Sequence, residues 1–122
     1  MSPSDFDRLV QESMDVIAPR FRRRLHNVVF AVEPEPRRPG LLGKYEGVPL
    51  TQRTTAASFY PPDRITIYQG PHERLARSGE ELRRLVQETV WHEVAHYFGM
   101  EEGQVLRAER RRARLALRRR LR

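Results

Sequence analysis

A chain of 122 residues is one domain's worth of sequence, with room for a modest core. It has no apolar run of about 18 residues and so no expected transmembrane helix. The lack of cysteine removes disulfides, thiolate metal ligands and a cysteine nucleophile together. The net charge of +7 is concentrated: residues 107–122 hold nine Arg and one Glu, while the preceding 106 residues hold 14 basic and 15 acidic ones.

In chain order, the N-terminal stretch Met1–Asp5 lacks the basic and apolar segments of a signal peptide, and a cytoplasmic protein is expected. Ser4 is a candidate N-cap for a first helix, with Asp7 three residues on. Phe6, Leu9, Val10, Met14 and Ile17 follow at helical spacing and read as core contacts. Pro19 interrupts that helix, and Phe21–Leu25 reads as a second short helical piece. Asn27–Glu33 is rich in β-formers and predicts a buried strand. The proline-rich segment 34–40 must be loop. Leu41–Leu50 is ambiguous, with a short strand and a turn near Gly43 and Gly47 as one solution. Thr51–Ser58 is polar and irregular. In Arg64–Gln69 apolar Ile65 and Ile67 alternate with Thr66 and Tyr68, which predicts a half-buried strand ended by Gly70 and Pro71. His72–Arg77 reads as a helical turn.

Glu80–Phe98 then contains neither Pro nor Gly. Ser78 can cap it, Glu80 and Glu81 place negative charge in its first turn, and Gly99 suits a left-handed stop. Val90, Trp91, Val94, Ala95 and Phe98 fall on one side of this helix. Leu85, Thr89, His92 and His96 fall on the other, flanked by Glu93. The histidines thus look away from the main apolar face, toward something such as a cleft. Glu101–Arg122 reads as a further helix with a thin stripe of Leu106, Ala113, Leu117 and Leu121 among arginines.

His92-Glu93-Val94-Ala95-His96 carries the pattern H-E-x-x-H. Residues four apart on a helix share a face, so both imidazoles can close on one Zn2+. Glu93 is the residue type that takes a proton from water at such sites. A third oxygen ligand is expected from the segment after Gly99. Glu102 stands where a glycine turn delivers one in H-E-x-x-H-x-x-G-x-x-H patterns. Glu101 is the alternative, and Glu109 a more distant one.

These residues, with Leu41–Leu50 and Pro62–Pro71, resemble the small zincin-like metallopeptidases of bacteria. The resemblance spans roughly residues 4–106 and implies an α+β minimal zincin fold: a small mixed sheet packed on a long active-site helix. Residues 107–122 would form a basic C-terminal helical tail beyond it. His92 and His96 are implied as zinc ligands and Glu93 as general base on zinc-bound water in peptide-bond hydrolysis. The family usually has Asp where Glu102 stands, and no Met-turn is present. An extended peptide substrate would pair with an edge strand, expected at Arg64, Ile65, Thr66, Ile67 and Tyr68. Tyr60, Tyr68, His72 and Tyr97 are candidates for stabilising the oxyanion, each also readable as an ordinary structural side chain. The competing reading is a non-catalytic, nucleic-acid-associated protein with a structural or vestigial metal site, in which the arginine tail binds nucleic acid or another acidic surface by charge alone.

Overall fold

The computed structural model describes residues 1–17, 19–48 and 61–99 and, in the C-terminal segment, the helical positions 104, 107, 111 and 115. The irregular segment expected over Thr51–Ser58 and most of the tail lie outside these residues.

Helix α1 spans Pro3–Met14. Its cap is Ser2, whose hydroxyl accepts from the Asp5 amide at 3.1 Å, and not Ser4 as the sequence first indicates. Pro3 explains the difference. A proline fits the first helical position, where its missing N–H has no partner to lose, and so moves the start two residues upstream. Phe6, Leu9, Val10 and Ile17 are buried, and Met14 packs against them, as their spacing requires. Pro19–Arg22 forms the short helix α2.

Asn27 takes a left-handed φ of 57°, which asparagine tolerates better than most residues, and turns the chain into β1 (Val28–Glu33). β2 covers Gly43–Glu46 and β3 covers Asp63–Tyr68. The strand order is β1-β3-β2. β1 runs parallel to β3 from Val28↔Asp63 to Glu33↔Tyr68. β2 runs antiparallel to it from Gly43↔Ile67 to Glu46↔Arg64.

This order corrects two expectations. β1 is a half-buried edge and not a buried strand, because among the described residues only one side of it is paired. β3 is the centre of the sheet. Its residues are buried on both faces except Arg64, whose guanidinium folds over its own strand to bond Thr66 Oγ1 and Glu33. Arg64–Tyr68 therefore lacks the open edge expected of it, since its backbone is engaged on both sides.

After β3 come α3 (Gln69–Leu75) and the long α4 (Gly79–Tyr97). Ser78 caps α4 by accepting from the Glu81 amide at 3.1 Å, and Gly99, at φ 76°, follows its end. Val86, Val90 and Val94 of α4 pack with α1 and with Ile65 and Ile67 of β3 in one core. Each such side chain contributes about 1.5–3 kcal/mol on leaving water. Trp91 joins them, edge-on to Phe21 of α2 at 5.3 Å. The protein is thus an α+β domain with a small mixed sheet backed by a long helix. Among the described residues no helix is long and apolar enough to cross a membrane.

Candidate metal centre

The last two turns of α4 carry His92, Glu93 and His96. The face opposite Val90 and Val94 leaves both imidazoles half-buried while Glu93 is 7% exposed. The rings meet at 68° with centroids 4.8 Å apart. Each turns its Nε2 toward the other, 3.1 Å away. Two nitrogens bound to one tetrahedral zinc at about 2.05 Å lie roughly 3.3 Å apart. The 3.1 Å separation of the pair is close to that spacing, and neutral imidazole is a good zinc donor. The expected third ligand, Glu102 or Glu101, lies outside the described residues, as does Glu109. No described Asp, Glu or His makes the pair a cluster of three.

Glu93 faces the start of β2. A Cβ built on Gly43 would stand 3.1 Å from Glu93 Cγ, 3.2 Å from its Oε2 and 2.8 Å from Thr89 Cγ2. Only glycine lets the strand come this close to the helix. An open cleft of about 300 Å³ lies there, bounded by residues 40–43 on one side and by Leu85, Glu88, Thr89, His92 and Glu93 on the other. β2 forms the site's edge strand, since its outer side pairs with no described strand.

A buried polar link fixes this arrangement from behind. His72 of α3 is fully buried. Its Nδ1 lies 2.6 Å from the Tyr68 carbonyl, which can only accept, so Nδ1 carries the proton. Nε2 then accepts from the Thr89 hydroxyl at 2.8 Å, an oxygen that also lies 3.0 Å from the Leu85 carbonyl. Burial pushes the His72 pKa below its ordinary value, while the Tyr68 hydrogen bond pulls the other way. His72 is thus a structural brace and not a group lining the cleft. Tyr97 is equally committed: its buried hydroxyl accepts from the His26 amide at 3.2 Å and lies 3.2 Å from the His26 carbonyl. Tyr68 is buried too, which, ahead of the nearby Glu33 and Glu46, raises its phenol pKa. Tyr60 lies outside the described residues.

Sequence reasoning singled out His92, Glu93 and His96; the structure sets the two imidazole Nε2 atoms 3.1 Å apart and places Glu93 in a cleft with His92. It read Gly43 as part of a turn and did not place Glu88 or β2 beside the cleft. The one available signal was the glycine in Leu41-Leu42-Gly43-Lys44-Tyr45, too ambiguous locally to read as the tight crossing of a helix.

A profile of the zincin-like metallopeptidases matches residues 25–112, and the chain belongs to this family. Its fold is similar to that of a conserved hypothetical protein from Thermo thermophilus. The two are 27% identical, with a TM-score of 0.53 over 80% of this chain and 94% of that one. No curated protein matches the chain.

Proposed function

We propose that the protein is a zinc-dependent peptidase. The observation that carries this reading is the approach of His92 and His96 Nε2 to 3.1 Å, with His92 and Glu93 lining one cleft next to an edge strand. His92 and His96 would hold the metal, with Glu102 or Glu101 as the third ligand. Zinc held there supplies a Lewis acid that polarises a carbonyl and acidifies water. Glu93 accepts a proton from the attacking water and later delivers it to the departing amine, as a general base placed between helix and strand can do. An extended peptide adds to the outer edge of β2, Gly43–Glu46, which holds its backbone along the cleft. The absent side chain at Gly43 leaves room for Glu93 between the two.

Two measurements test this. Protein purified without chelator or a histidine tag is expected to carry about one zinc per chain, or to take one up. Glu93→Gln is expected to keep that zinc and to lose about 10²–10⁴-fold in peptide hydrolysis, the usual contribution of a general base. Failure to bind zinc, or a Glu93→Gln variant as active as the wild type, overturns the proposal.

A further inference from the structure

We propose that the cleft beside His92 is a specificity pocket for a long basic side chain, arginine or lysine, of the bound peptide; this rests on the peptidase reading above. Leu41 and Leu42 wall it on the strand side and Leu85 on the helix side. These are surfaces for an aliphatic stem and offer nothing to hydrogen-bond a polar one. Glu88 lines the cleft too, an exposed carboxylate with no ion-pair partner among the described residues. Among the described residues, no side chain that can carry positive charge lines the cleft apart from His92.

The spacing selects the length of the occupant. Glu88 precedes His92 by four residues on the same helix face, about 6 Å along the axis at 1.5 Å per residue. A backbone held at His92 and Glu93 therefore places the tip of an extended lysine or arginine at Glu88, with its methylenes against the leucines. A leucine side chain stops short of Glu88 and leaves that carboxylate to water. An acidic side chain meets both Glu88 and Glu93 and is repelled. Discrimination thus comes from one attractive and one repulsive element at the same carboxylate.

Two experiments decide, and they separate this pocket from the peptidase reading. The first needs no turnover. Methyl NMR of the full-length, zinc-loaded protein is titrated with n-butylguanidinium and with its neutral isostere n-butylurea. The guanidinium is expected to shift the methyls of Leu41, Leu42 and Leu85 and to bind about fivefold tighter, the scale of a solvent-accessible ion pair. Glu88→Gln should erase that difference. Equal binding of the two probes, or shifts confined to other methyls, overturns the pocket. The second is a panel of alanine-based peptides with Arg, Lys, Leu or Glu at one position. The expected order in kcat/KM is Arg and Lys about fivefold above Leu, with Glu last. Glu88→Gln collapses the Arg-to-Leu ratio, and Glu88→Lys moves the preference toward Glu. A ratio unmoved by Glu88→Gln sinks the proposal. If no peptide is cut, the peptidase reading fails and the titration alone judges the pocket.

Discussion

Gly43→Ala is the substitution on which the geometry of the site speaks most directly. The new methyl would lie 2.8 Å from Thr89 Cγ2 and 3.1 Å from Glu93 Cγ, where carbon atoms prefer about 3.5–4.0 Å. Something must yield by the better part of an ångström: β2 moves off α4, or Thr89 and Glu93 turn aside. Overpacking of this kind costs about 1–3 kcal/mol. The stiffer unfolded chain returns about 0.4–1 kcal/mol. The net loss in urea unfolding should thus be about 1 kcal/mol. Activity should fall much further, because a misplacement near 1 Å in a catalytic group costs about 10²-fold. Zinc stoichiometry should not change, since neither histidine is touched. Gly79→Ala is the control: nothing lies within 4 Å of the added atom, and stability and kcat should hold. A Gly43→Ala protein with wild-type stability and kcat would refute the tight crossing of β2 and α4, and with it the placement of Glu93.

Other consequences are simpler to state. The Tyr45 hydroxyl donates to Asp63 Oδ2 at 2.5 Å, and Asp63 is only 2% exposed. Tyr45→Phe takes a hydrogen bond from this buried carboxylate and should cost about 1–3 kcal/mol in denaturant unfolding, whereas a loss under about 0.5 kcal/mol would contradict that pairing. His72 contributes a pH dependence of known sign. Its folded pKa lies below the ordinary 6.5, so between these two values the unfolded chain binds the extra proton. The stability it supports is therefore complete above about pH 6.5 and falls as pH drops through that window, by at most about 1.4 kcal/mol per unit. With metal removed from both proteins, unfolding curves from about pH 8 to about pH 5 should be flatter for His72→Gln than for wild type. Parallel curves would show that His72 is not buried as the neutral ring.

The long helix was readable because its signals are local: a Ser78 cap, acidic first-turn residues, a glycine stop and a split between apolar and histidine faces. The strand order was not. Arg64 and Thr66 alternate with isoleucines, which reads as one wet face. Thr66 is nevertheless buried, because Arg64 bonds its hydroxyl and reaches on to Glu33 of the neighbouring strand. That lid depends on β1 lying parallel beside β3, a pairing across some 35 residues that no period along the chain encodes. In β2 the exposed Lys44 and Glu46 are the ordinary dress of an edge strand, yet the four-residue length and flanking glycines look like a turn. The His72–Thr89 bond joins positions 17 apart and escaped for the same reason. The histidine pair was legible because four residues of helix suffice to make it.

Thr89 ties these long-range contacts together, since its two branches do different work. Its hydroxyl serves the His72 brace, and its methyl is the atom nearest a Cβ at Gly43. Thr89→Val keeps the methyl and leaves the buried Nε2 of His72 without a donor, a loss of about 1–3 kcal/mol. Thr89→Ser keeps the hydroxyl and opens space against β2. Only the serine substitution should therefore couple to Gly43→Ala. In Gly43→Ala/Thr89→Ser the closest clash is gone, and the double variant should be more stable than the sum of the singles by about 1 kcal/mol, within the range for contacting residues. In Gly43→Ala/Thr89→Val the clash stays and the losses should add. Hydrolysis should recover only in part in the serine double variant, because the 3.1 Å approach to Glu93 Cγ remains. Additive behaviour in both pairs would mean that the strand and the helix do not touch at Thr89, and that Glu93 is held by other contacts.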